Sequence, residues 1–217
     1  MTDRTGIYPG GMTEGGDARS RSLLKEILDR TRGRKKGFLL FCGKHYRGPV
    51  VAAAIQPVLE GGTAVVVDGG NMFDPYVISR VARMLGVPPG SVLSRFYVSR
   101  GFSCYQVESL IVSELPDFVK KRRPALLIVT GLLETFYDSD VPLKEAASLL
   151  RGATDTLLAL SRKMPVMAVT PLPPCAAEER GHFFDSLLRK ADSVYTPEGE
   201  VIDSPGGRYL PRGGGVR

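Results

Sequence analysis

A three-layer α/β/α domain built on a mostly parallel sheet is what this sequence predicts, and three observations carry the prediction. Short apolar runs of β type alternate along the chain with longer segments of helical period. Several of those runs, FLLFC at 38–42, AVVVD at 64–68 and LLIVT at 126–130, are apolar at almost every position. That suits strands covered by helices on both faces, since a strand with one wet face would alternate. Finally, 217 residues with 43% hydrophobic content are enough for one sizeable core and too few for two ordinary domains.

Taken in order, residues 1–18 (MTDRTGIYPGGMTEGGDA) lack an apolar period and read as a flexible leader. A single core domain is expected over 19–204, followed by a Gly/Arg-rich flexible tail over 205–217. Leu23, Leu24, Ile27 and Leu28 recur at helical spacing and predict an amphipathic helix that ends in a basic turn at 30–36. Strands are then expected at 38–42, 63–68, 92–98, 126–130 and 166–170. The intervening helices are expected at 49–59, 75–85, 105–121 and 142–162. Residues 192–196 and 200–203 flank a Pro-Glu-Gly turn and predict a C-terminal β-hairpin on the sheet edge.

Several function classes drop out. The longest apolar stretches fall far short of the roughly 18 residues of a membrane-spanning helix, and no signal-type run opens the chain, so no membrane partner and a cytoplasmic location are expected. Cys42, Cys104 and Cys175 are widely spaced and match neither a disulfide framework nor a zinc site; buried reduced thiols are the expectation. His45 and His182 are the only histidines, too few for a multi-histidine metal centre. His182, just before Phe183 and Phe184, suits a surface or capping role. Ser103 and Cys104 have no histidine nearby in sequence, so no triad is argued. No catalytic residue and no metal ligand is nominated.

Lys and Arg exceed Asp and Glu by 29 to 23, a net +6 that permits an anionic partner without demanding one. The distribution is more telling. Arg30, Arg32, Arg34, Lys35 and Lys36 form one run, Lys120, Lys121, Arg122 and Arg123 a second, and Arg208, Arg212 and Arg217 punctuate the tail. Surface charge is the default fate of such residues. Arg32, Arg34, Lys35, Lys36 and Lys120 to Arg123 are nevertheless the candidates for DNA phosphate contacts, whose affinity falls steeply with salt. Phe136, Tyr137, Phe183 and Phe184 have the chemistry to stack on bases, but aromatic residues so spaced are more commonly core.

The first strand leads into Gly43-Lys44-His45-Tyr46-Arg47-Gly48-Pro49-Val50 and then a helix. Strand, loop and helix with two glycines five residues apart is the setting of a phosphate-binding loop, G-x-x-x-x-G-K-[ST]. Its working residues are missing. Pro49 stands where the lysine should reach the β- and γ-phosphates, and Val50 where a hydroxyl should hold magnesium. Gly43, Lys44, His45, Arg47 and Gly48 are left as a candidate nucleotide- or anion-binding remnant.

From residue 67 the order of motifs is more specific. Val67-Asp68-Gly69-Gly70-Asn71-Met72-Phe73-Asp74-Pro75, then 92–102 and Gln106, then LLIVTGLLETFYDSD and VMAVTPLP follow one another across residues 36–203. In this succession the chain resembles the core of RecA/RadA-type recombinases. The resemblance implies a RecA-like P-loop NTPase fold and a role in DNA recombination or repair. It also marks the departures. The glutamate that activates water in that family falls at Gly70, and the strand-end aspartate that assists magnesium falls at Thr130. With Pro49 and Val50, four positions of charge, metal and base chemistry hold residues unable to supply it. Glu134 and Asp138 to Asp140 are the only nearby acids to nominate in their place, and a solvated loop explains them as well.

The resemblance therefore implies a non-catalytic accessory or binding factor with no required cofactor, acting through DNA, through a recombinase-like protein or through self-association. The family's DNA-contacting loops fall at 134–141, which is acidic, and 171–180, which is Pro-rich with a lone Arg180. The alternative is a nucleotide-binding switch or weak ATPase in which Lys44 or Arg47 replaces the absent lysine and ATP or another phosphate ligand is held.

Overall fold

The chain is described from a computed structural model covering residues 36–173, 179–196 and 201–203. The leader, the amphipathic segment at 23–28, Arg32, Arg34, Lys35, Cys175 and the tail lie outside the described residues.

Continuous apolar runs do form the strands. They are β1 (Gly37–Cys42), β2 (Ala64–Asp68), β3 (Phe96–Arg100), β4 (Leu126–Thr130), β5 (Pro165–Thr170), β6 (Ser193–Tyr195) and β7 (Val201–Asp203). Their order is β3-β2-β4-β5-β1-β6-β7. The first six run parallel. β7 pairs antiparallel with β6, Val194 opposite Ile202.

The helices are α1 (Arg47–Ala53), α2 (Ile55–Leu59), α3 (Pro75–Met84), α4 (Pro89–Leu93), α5 (Cys104–Ser109), α6 (Leu115–Arg122), α7 (Leu143–Ser161) and α8 (Gly181–Lys190). Alternate residues of each strand serve opposite layers. Leu40, Val67, Val129 and Ala168 pack with Val107, Leu115, Leu157 and Phe183 of α5 to α8. Phe41, Val66, Ile128 and Val169 pack with Val50, Ile55, Ile78 and Val92 of α1 to α4. β1, β2, β4 and β5 are buried throughout, as a sheet covered on both faces requires. The α/β class and the parallel sheet expected from the sequence are observed.

Proline accounts for most differences from the expected element bounds. The strand expected at 92–98 begins only at Phe96, because Pro88-Pro89 opens the short helix α4 and Val92 is one of its core contacts. The helix expected at 49–59 is interrupted after Ala53, four residues before Pro57, whose ring clashes with the turn below it. Between α5 and α6 the chain winds as a wider π turn (Leu110–Glu114), which accommodates the amide missing at Pro116. Cys42 and Cys104 are buried, as expected. His182 is exposed on the first turn of α8, its Nδ1 2.9 Å from the Glu179 carbonyl. Among the described residues no helix is long and apolar enough to cross a membrane.

Candidate functional site at the carboxyl ends of the strands

In a parallel sheet the loops that leave the carboxyl ends of the strands collect at one rim, where ligands of such folds usually bind. Here the loops after β1, β2 and β4 meet there, across the end of β5.

The loop after β1 is folded inward. Gly43 has φ 130°, a conformation open to glycine, and its N–H donates to the Thr170 carbonyl at 2.8 Å. Residues Lys44–Tyr46 make a single 3-10 turn: the Tyr46 N–H donates to the Gly43 carbonyl at 3.3 Å, and the Arg47 N–H to that of Lys44. Three backbone donors are thus spent inside the protein. Tyr46 anchors the turn. Its buried ring lies 5.5 Å from Phe41 and its hydroxyl donates to the Thr196 carbonyl at 2.5 Å. The His45 ring covers Gly43 so closely that a Cβ there would come within 2.7 Å of it. Burial lowers the His45 pKa, which favours the neutral ring. Val50, at the position where a magnesium-holding hydroxyl is expected, is fully buried in the core.

At the end of β2, Asp68 is completely buried and its carboxylate is fully engaged. Oδ1 accepts from the Met72 N–H at 2.8 Å and the Thr130 hydroxyl at 2.9 Å. Oδ2 accepts from the Phe73 N–H at 3.2 Å and the Arg100 Nε at 2.9 Å, the last also an ion pair. Thr130 serves here as a donor. The β2 and β4 ends touch backbone to backbone. Gly131 has φ 66°, and a Cβ on it would meet the Gly70 nitrogen at 2.6 Å. A Cβ on Gly70 would meet Met72 Cγ at 2.9 Å.

The turn after β4, Glu134–Tyr137, carries the less settled group. Glu134 Oε1 stands 4.0 Å from Arg47 Nη2, an ion-pair distance beyond hydrogen-bond range. Both Glu134 oxygens, Arg47 Nε, Thr135 Oγ1 and the Tyr137 hydroxyl are buried atoms without a hydrogen-bond partner. Burial pushes the Glu134 carboxyl up to about 7 against the pull of its own backbone N–H, which lies near it without making a well-formed hydrogen bond, and of Arg47 and Lys44, with Asp68 adding to the rise. Burial likewise raises the Tyr137 hydroxyl, helped by Glu134 and Asp185.

The sequence candidates are distributed as follows. Gly43, Lys44 and His45 are in the loop, with Lys44 and His45 exposed, and Arg47 and Gly48 open α1 directly after it. Lys36 is exposed just before β1, and Lys120 to Arg123 are exposed at the end of α6, where the chain enters β4. Both lie at the amino ends of the strands, opposite the loop. The second run also divides. Lys121 lines a groove of about 220 Å³ with Tyr97, Ser99, Leu110 and Phe118, and the Arg122 guanidinium lies 5.4 Å from the Tyr97 ring centre. Lys120 and Arg123 border a different hollow beside Lys163 and Met164. Arg180 is buried and donates to the Phe136 carbonyl at 2.7 Å and to that of Val141, so it braces the turn after β4. Phe136, Phe183 and Phe184 are core. The importance of Glu134 was hard to read from its sequence position, four residues beyond the strand end. No group of three or more potential metal ligands occurs among the described residues. No protein-family model matches the sequence.

Proposed function

We propose that this protein is a RecA-like domain that does not turn over nucleotide and works as a binding factor in DNA recombination or repair, docking a protein partner. The end of β4 carries the reading. A working phosphoryl-transfer site needs a strand-end acid with a lone pair for magnesium or its waters; by the RecA-type resemblance that place falls to Thr130, which is buried and spends its hydroxyl on Asp68, itself closed by three further protein donors. The inward loop donors, buried Val50, and Gly70 and Thr130 in place of acids agree with this.

Docking of a protein is favoured over DNA by the open β3 edge. β3 is the terminal strand of the sheet, its outer half is exposed, and Val98 is 41% accessible. An edge strand of this kind offers unpaired backbone groups to an added strand, and the 220 Å³ groove beside Tyr97 and Phe118 offers room for an accompanying side chain. The run at the end of α6, by contrast, is divided among the described residues, with Lys121 in one groove and Lys120 and Arg123 at another.

The test is direct. Purified protein with magnesium and ATP is expected to release no phosphate above a buffer control and to give no binding heat. Phosphate release that disappears in Lys44→Ala or Arg47→Ala would reject the reading in favour of an altered but working loop. For the partner branch, Val98→Pro is expected to abolish capture of a recombinase-type protein or of a second copy, whereas replacing Lys120 to Arg123 by alanine is not. The reverse pattern, with salt-sensitive DNA binding, would move the function to nucleic acid.

A further inference from the structure

We infer that Glu134 is the internal counter-ion of the loop after β1: its carboxylate holds the place beside Arg47, within the field of Lys44, that an external dianion of the sulfate or phosphate type would take, and neutralising it opens that place. The inference rests on the preceding reading that the native loop holds no nucleotide, and adds what keeps it empty and what would fill it.

Geometry comes first. Glu134 is not on a free arm. Its turn is fixed from below by buried Phe136 and from the side by Arg180, which binds the carbonyls of Phe136 and Val141. The carboxylate is therefore held facing Arg47, yet the 4.0 Å separation leaves no hydrogen bond between them. Buried polar groups are almost always hydrogen-bonded. A carboxylate with both oxygens unpartnered, opposite a guanidinium with an unpartnered Nε, balances charge without satisfying either group. A tetrahedral dianion has the lone pairs to take the guanidinium in a two-pronged contact, so once the competing charge is gone the cations have a better ligand than Glu134.

The groups facing Glu134 are Arg47 and Lys44 from the loop, Asp68 from β2 and Tyr137 on its own turn, with Asp185 of α8 acting on Tyr137. Arg47 and Lys44 hold the charge of the acid and Asp68 opposes it. With the Glu134 carboxyl pushed up to about 7, the acid is largely ionised above neutrality and competes for Arg47. Below neutrality it is protonated and releases Arg47. Anion affinity should therefore rise as pH falls.

Sulfate is the probe, because it stays doubly charged throughout the range. Calorimetric or NMR titration near pH 6 and near pH 8 should find the native protein about tenfold tighter at the lower pH, one pKa unit's worth of coupling. Glu134→Gln should bind tightly at both pH values, and Arg47→Ala weakly at both. Equal affinity of the native protein at the two pH values overturns the inference without any variant. So does a folded Glu134→Gln that is no tighter than native at pH 8. A pH dependence that persists in Glu134→Gln assigns the effect to His45 instead and also overturns it. ATP binding by the native protein at pH 8 would sink the functional reading above; failure of Glu134→Gln to take sulfate, with native protein still silent to ATP, sinks only this one.

Discussion

Two carboxylates stand at the same rim of the sheet, and they have opposite fates. Asp68 is the more deeply buried, fully inaccessible, while the Glu134 side chain retains 24% of its exposure. On burial alone Asp68 should be the strained group. It is not, because four donors surround it, whereas Glu134 has a distant guanidinium and no hydrogen bond. Donor count, not depth, decides whether a buried charge stabilises the fold or opposes it. The Asp68 region is a finished structural joint; the Glu134 region is where the molecule keeps an unsatisfied charge.

The comparison is broken most sharply at Asp68. Asp68→Ala strands the buried Thr130 hydroxyl and two backbone amides, while the exposed Arg100 side chain turns to water, and is expected to cost about 3–4 kcal/mol in urea unfolding. A loss under about 1 kcal/mol would mean that the joint is not structural. Next comes Gly131→Ala, which must hold φ 66° and bring a Cβ within 2.6 Å of the Gly70 nitrogen; about 3 kcal/mol is expected, with a parallel drop in melting temperature.

Glu134→Gln should act in the opposite direction. The native carboxyl titrates near 7 against an ordinary 4.5, so its contribution is harmless below about pH 4.5 and becomes a growing penalty as pH rises through 7. Relief of about 1–3 kcal/mol is expected near pH 8, allowing for partial solvent access, and none near pH 4. Equal stabilisation at both ends would show that charge is not the cause. The smallest effect belongs to Arg123, which caps α6 with φ 47°. Arg123→Gly removes that strain at some cost in chain entropy and should stabilise by about 0.5–1 kcal/mol by chemical unfolding.

Legibility followed the same division. β1 and β4 were readable almost to the residue, because their burial on both faces writes an unbroken apolar run into the sequence. The false start of β3 at Val92 arose because a core-facing residue of a short helix looks like a strand residue when read locally. At the site, Pro49 and Val50 could be read directly as residues that carry neither a cation nor a hydroxyl. The partnership of Arg47 with Glu134 could not, since β5, more than thirty residues further along, lies between their strands. The saturation of Asp68 was also hidden: Met72 and Phe73 are sequence neighbours, but Arg100 and Thr130 arrive from the strands on either side.

The close seat of Gly69 and Gly70 against Gly131 makes the seam between β2 and β4 unevenly tolerant of side chains. A Cβ on Gly69 would meet the Gly131 carbonyl oxygen, and one on Gly131 the Gly70 nitrogen, both at 2.6 Å and both backbone atoms that cannot step aside, whereas a Cβ on Gly70 meets first the movable Met72 side chain. Position 70 is therefore the one place in the seam where a larger residue can be seated by shifting a neighbour's side chain while the two strand ends stay where they are.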